Sequence, residues 1–143
     1  MALEIIPVAF GTADFEACFA IRLAVFVQEQ NVPLEEERDE YDAAARHFLA
    51  RENGVPRGTA RVILSDDGAT AKIGRVAVLA AGRGKGVGAA LMRFIEAQTG
   101  AKTCLLDAQI QALKFYQSLG YEAYGDAFLD AGIAHRRMRK VLA

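Results

Sequence analysis

Ala81-Gly82-Arg83-Gly84-Lys85-Gly86-Val87-Gly88 is the stretch on which the reading of this chain turns. Four glycines alternate with Arg83, Lys85 and Val87, and Val87, Leu91, Phe94, Ile95 and Gln98 then recur on one face at helical spacing. The loop therefore opens a helix that ends near Gly100. Glycines remove the Cβ atoms that hold a ligand away from the backbone. The first N–H groups of a helix lack internal partners, and with the helix dipole they favour an anion. Arg83 and Lys85 add positive charge at the rim. That chemistry suits a phosphate or pyrophosphate. A loop whose glycines merely make a turn is the plainer alternative, and it leaves two cations at a helix start unexplained. Spacing narrows the ligand. Lys85 is followed by Gly86, so the Ser or Thr that a Walker A loop uses for magnesium is missing. No triplet of Gly82, Gly84, Gly86 and Gly88 has the G-x-G-x-x-G spacing of a dinucleotide fold.

Working outward, residues 3–9 read as a first strand with β-branched Ile5, Ile6 and Val8. Thr12 or Asp14 caps a helix running to about Val27, with Phe15, Cys18, Phe19, Arg22, Leu23 and Phe26 on one side. Residues 28–42 are polar, acidic and broken by Pro33. They read as a long loop with a short helix over 34–39. Strands follow at 46–51, 58–64 and 71–79, separated by Asn53-Gly54 and Asp66-Asp67-Gly68, which suggests an antiparallel meander. The middle strand reads as covered on much of both faces. Beyond the glycine helix come a short strand at 103–107 and a helix over 109–119, stopped by Gly120. Two further strands, 121–124 and 134–142, are joined by a turn region. The order β-α-β-β-β-α-β-α-β-β predicts a mixed α/β (α+β) fold with helices on the faces of one sheet.

The chain has 143 residues, 52% hydrophobic and 24% charged, which is the size and composition of one globular domain spanning 1–143. Its net charge of -1 argues against a strongly basic nucleic-acid surface. Apolar stretches are broken well short of a membrane span, and the N-terminus has no signal-peptide pattern, so a cytoplasmic location is expected. Cys18 and Cys104 are too few and too far apart for a zinc site, and both read as packing residues.

At Arg83, Gly86 and Gly88 the loop resembles the acetyl-CoA signature of the GCN5-related N-acetyltransferase (GNAT) superfamily, Gln/Arg-x-x-Gly-x-Gly/Ala. Ile73-Gly74-Arg75-Val76-Ala77-Val78 resembles the family's fourth strand. Ala112-Leu113-Lys114-Phe115-Tyr116-Gln117-Ser118-Leu119-Gly120-Tyr121 resembles its A-x-x-F-Y-x-x-x-G-F/Y segment. Phe26-Val27-Gln28-Glu29-Gln30-Asn31-Val32-Pro33, Arg46-His47-Phe48-Leu49 and Gly132-Ile133-Ala134-His135-Arg136-Arg137-Met138 are similar to the small ElaA-type branch. The resemblance implies one GNAT-like domain with a mixed, mostly antiparallel sheet, splayed between its fourth and fifth strands and flanked by helices. It implies acetyl-CoA as cosubstrate, no metal, an amine acceptor that is a small molecule or a peptide, and room for a homodimer. By the same resemblance, the backbone of Arg83, Gly84, Lys85, Gly86, Val87 and Gly88 holds the pyrophosphate. Val76, Ala77 and Val78 would face the pantetheine arm, pairing through the backbone of Val76 and Val78 like an added strand. Gln109 stands where many relatives place an Asn on that arm.

Candidate catalytic groups follow. Tyr116 is either a core aromatic at helical spacing with Leu113 and Leu119, or the acid that protonates the departing thiolate. The amine must lose a proton, and Glu29, His47 and His135 are the candidate bases, with a water chain as the alternative. The two histidines are the only ones in the chain. The run Glu35-Glu36-Glu37-Arg38-Asp39-Glu40 reads as a solvated stretch that could also attract a cationic amine. Arg22, on an apolar helix face, pairs with a loop acid or borders the acceptor pocket. A non-catalytic acyl-CoA-binding module and a nucleotide-binding protein are the rival readings.

Overall fold

The computed structural model describes residues 2–37 and 39–142, so Met1, Arg38 and Ala143 lie outside it. Seven strands form one sheet: β1 (Leu3–Val8), β2 (Arg46–Glu52), β3 (Val55–Leu64), β4 (Thr70–Val78), β5 (Thr103–Gln109), β6 (Glu122–Asp130) and β7 (Ile133–Val141). Their order across the sheet is β1-β2-β3-β4-β5-β7-β6. Every pair is antiparallel except β4 and β5, which the α3 crossover makes parallel. The helices are α1 (Ala13–Arg22), α2 (Leu34–Glu37), α3 (Val87–Gln98) and α4 (Leu113–Ser118).

Each face of the sheet has its own core. Leu91, Met92 and Ile95 of α3 bury against Val62, Ile73, Leu106 and Met138 on one face. Phe15, Cys18 and Ile21 of α1 bury against Leu49 and Ala77 on the other. β3 runs between α1 and α3, so Gly58, Thr59, Ala60, Arg61 and Val62 are all buried, as the sequence predicts for a strand covered on both sides. Both cysteines are buried, and burial pushes both thiols above their ordinary value.

Three elements differ from their sequence-based expectation. α1 begins as expected, with Thr12 as its cap, the hydroxyl accepting from the Phe15 N–H at 3.2 Å. The helix then widens into a π-helical segment over Leu23–Glu29; Phe26 within it and Gln30 just after it line the cleft described below. The predicted helix over 109–119 is shorter. Gln109 still pairs with His135 as the last residue of β5, Ile110–Ala112 is a tight turn, and only Leu113–Ser118 is α-helical. β6 is longer than expected because a bulge between Tyr124 and Phe128, with Gly125 at φ +73°, absorbs the residues that read as a turn.

The feature that positions the site is the parting of β4 from β5. They pair only from Thr70 with Thr103 to Ile73 with Leu106. Beyond that point β4 carries a bulge. Arg61 pairs with Gly74 and Thr59 with Ala77, which leaves one extra residue on β4. Arg75 there has φ +52°, a left-handed conformation rare for a residue with a Cβ. The bulge bends β4 away from β5 and opens a V.

Candidate active site

One wall of the V is backbone. Leu79 N–H, just past β4, donates to Arg57 O at 2.8 Å, so the residues that bond to β3 here are Leu79 and, two before it, Ala77. In an antiparallel pair these alternate, and the N–H groups of Val76 and Val78 therefore face the V, where β5 no longer meets them. Below them lies the glycine loop. Gly84 and Gly86 have φ +76° and +80°, and a Cβ built on either would meet nothing within 4 Å. Gly86 caps α3, whose first internal bond is Ala90 N–H to Gly86 O, so the N–H groups of Val87, Gly88 and Ala89 have no helical acceptor. A Cβ on Gly88 would lie 3.1 Å from Phe115, whose ring closes that side. The backbone N–H of Arg83 is spent on Ala80 O at 3.2 Å. That N–H is therefore not among the donors left free at the loop.

That loop's cations hold carboxylates. Arg83 bonds Glu29 at 2.7 Å and Val78 O at 3.0 Å. Lys85 and Arg57 share Glu52, at 3.3 and 3.1 Å. Hydrogen bonding from Arg83 holds Glu29 below the usual carboxylate range, and Arg57, with Lys85, does the same for Glu52. For an acyl-CoA the donor set fits: open space above two left-handed glycines, unpaired helix N–H groups for a pyrophosphate, and a free strand edge for amides.

The V continues into a larger cleft of about 650 Å³, walled by Phe26, Gln30 and α2 on one side and the β6–β7 hairpin on the other. The glycine cradle borders a second cavity of about 380 Å³. Val76 and Tyr116 line both. Tyr116 is 9% exposed, its hydroxyl has no hydrogen-bond partner among the described residues, and burial pushes its pKa up to about 12. His135 also lines the larger cleft. Its Nδ1 lies 2.6 Å from Ile133 O. A carbonyl only accepts, so the neutral ring carries its proton on Nδ1 and leaves Nε2 bare. Phe128 stacks on the ring at 5.8 Å and fixes its plane. Gln109 lines the cleft and donates to Gln30 at 2.7 Å, tying the end of β5 to the wall that carries Gln30.

Two candidate bases stand apart. His47 lines neither cavity; it is 1% exposed, packs edge-on to Phe15 and bonds Asp42 O through Nε2 at 2.8 Å. Burial lowers its pKa. Glu29 is exposed, tied to Arg83 and likewise absent from both linings.

The acidic run is solvated at Glu35, Glu36 and Glu40, but Glu37 within it and Asp42 just beyond it are buried. Glu37 and Asp42 are 2% and 1% exposed. Arg22 reaches across to bond Glu37 at 2.7 Å and Asp42 at 2.8 Å, which makes it the partner of loop acids. Arg61 joins Asp42 at 2.9 Å to Asp39 at 2.7 Å, and Arg75 lies 3.2 Å from both Glu37 and Asp39. Arg38, within that run, lies outside the described residues. The sequence signal for this network was present in Arg22 on an apolar helix face and Arg61 inside a doubly covered strand. Two buried cations require buried anions, and the nearest acid-rich segment is 35–42.

A sheet parted at its one parallel pair, with a glycine cradle at a helix start beside the opening, is the scaffold of an acyl-CoA-dependent acyltransferase. Comparison with known proteins agrees. The acetyltransferase (GNAT) domain model matches residues 13–142, and the chain belongs to that family. It is 38% identical over 137 residues to the uncharacterized N-acetyltransferase YjcF of Bacillus subtilis, covering 93% of this chain and 96% of the relative. It is 36% identical over 136 residues to ElaA of Escherichia coli, covering 91% and 89%. The crystal structure of Escherichia coli ElaA superposes with a TM-score of 0.82 over 97% of this chain and 99% of the other, at 30% identity. An acyl-CoA N-acyltransferase from Pseudomonas aeruginosa superposes with a TM-score of 0.83 over 98% and 100%, at 26% identity.

Proposed function

We propose that this chain moves the acetyl group of acetyl-CoA to a primary amine by direct attack within a ternary complex. The observation that carries the reading is Tyr116, which lines both the glycine-lined cavity and the larger cleft and whose hydroxyl has no hydrogen-bond partner among the described residues. Bound acetyl-CoA supplies an activated acyl carbon. The loop N–H groups of Gly84 to Gly88 hold its pyrophosphate, and the N–H groups of Val76 and Val78 align its amides and polarise the acyl carbonyl. The nitrogen of the neutral amine bonds the acyl carbon as the carbon–sulfur bond breaks; His135 Nε2 takes the proton that nitrogen then sheds, and Tyr116 gives its proton to the sulfur. Proximity in the V supplies much of the rate. Of the candidate bases His135 alone faces the cleft, so Glu29 is assigned to the loop and His47 to the buried network.

Calorimetric titration with acetyl-CoA, with ATP as control, tests the reading. Saturable binding of acetyl-CoA alone is expected. Folded protein that binds neither, or both alike, would overturn it.

A further inference from the structure

The larger cleft also carries information about the acceptor. Each cation that lines it has its own acid partner: Arg61 with Asp39 and Asp42, Arg75 with Glu37 and Asp39, and Lys72 with Asp107 at 3.1 Å. Glu36 on α2 and Asp130 at the end of β6 line the same cleft from opposite walls, and neither has an ion-pair partner among the described residues. Tyr116 and His135 line the same cleft, each 9% exposed, and neither Tyr116 Oη nor His135 Nε2 has a hydrogen-bond partner among the described residues. The ion pairs cancel, so Glu36 and Asp130 leave the lining of the cleft with unmatched negative charge. A carboxylate on the acceptor would meet Glu36 and Asp130 with no unmatched cation to receive it. A bare alkyl amine would leave both unused.

Resting on the acyl-transfer reading above, we propose that the acceptor is a small molecule with a second ammonium group and no carboxylate: one amine enters as the neutral nucleophile at His135 and Tyr116, and the other stays charged between Glu36 and Asp130. Exposed carboxylates each contribute about two- to fivefold to such an attraction, so the pair gives about tenfold.

The test is CoA release from acetyl-CoA with acceptors matched in length: putrescine, butylamine and γ-aminobutyrate, repeated with cadaverine, pentylamine and δ-aminovalerate. The expected kcat/KM is about tenfold higher for the diamine than for the monoamine in at least one length, and lowest for the amino acid. Added salt should narrow the diamine advantage. Glu36→Gln with Asp130→Asn should narrow it too, through KM and not kcat. Calorimetry with acetyl-CoA runs alongside on the same protein. If acetyl-CoA does not bind, the acyl-transfer reading itself has failed. If it binds and the diamine is no better than the other two, at any level of turnover including none, the acceptor inference falls alone. A diamine advantage that the double variant leaves intact overturns the roles of Glu36 and Asp130.

Discussion

The hydroxyl of Tyr116 makes no hydrogen bond within the described residues, although its ring packs edge-on against Phe115 at 4.9 Å and Tyr121 at 6.1 Å. Replacing it with Phe therefore keeps the packing and removes only the proton. For Tyr116→Phe we expect a nearly unchanged melting temperature, acetyl-CoA affinity within about twofold, and kcat lower by about 100-fold, the range for loss of a general acid. Unchanged turnover would return Tyr116 to the role of core aromatic. Because burial pushes this phenol to about 12, it keeps its proton throughout the neutral range and should add no descending limb to the pH–rate profile there. His135 calls for a different experiment, since its ring also stacks on Phe128. His135→Ala should lower kcat by about 100-fold while acetyl-CoA still binds, and added imidazole should restore part of the loss. A purely structural histidine would show a changed melting temperature without rescue.

At the scale of elements, the cradle depends on how closely α3 approaches β3. A Cβ on Gly58 would lie 2.8 Å from Val87 and 3.3 Å from the Ala77 carbonyl. Val87 is β-branched and stiff, so the first turn of α3 must move. Gly58→Ala is expected to cost about 1–3 kcal/mol of stability and to weaken acetyl-CoA binding, because the displaced turn is the one whose N–H groups form the cradle. Gly86→Ala separates the two effects. Its φ of +80° costs about 1–2 kcal/mol with any side chain, yet no neighbour is touched, so extra loss of affinity must come from bulk over the cradle. The glycine loop, its helix and the succession of strands and helices along the chain were legible in the sequence because spacing and turn residues are local. The parting of β4 from β5 could be anticipated only through the family resemblance. It turns on Arg75 at φ +52°, a bulge that no residue preference announces. The short α4 was hidden for a related reason: Gln109 and its neighbours have helical spacing, but pairing with His135 holds Gln109 extended.

Across the whole molecule, the buried ions tie α1, the acidic segment, β3 and the β4 bulge into one network, so the shape of the cleft and the stability of the fold share residues. Arg22→Ala would leave Glu37 and Asp42 without their chief partner, and a loss of about 3–5 kcal/mol is expected in denaturant unfolding. The same network sets the response to pH. At Asp39 and Asp42 burial opposes ionisation, but bonds and charge from Arg61 and Arg22 outweigh it, and both carboxyls titrate below the ordinary value of 3.8. Their contribution is present above that value and lost as pH falls. Burial lowers His47, so the unfolded imidazole takes its proton first, and stability falls as pH drops below 6.5. Burial raises Glu37 against the pull of Arg22 and Arg75, so its sign is opposite: its contribution is present below 4.5 and lost as pH rises through its folded value. Stability should therefore begin to decline below 6.5, be partly offset by Glu37, and fall steeply below 3.8. His47→Gln keeps an amide donor for Asp42 O and removes the titrating ring. It should flatten the upper part of the decline, by up to about 1.4 kcal/mol per pH unit, and leave the lower part unchanged. Melting curves at matched ionic strength would show this directly, and an unaltered slope between 6.5 and 4.5 would assign that proton to another group.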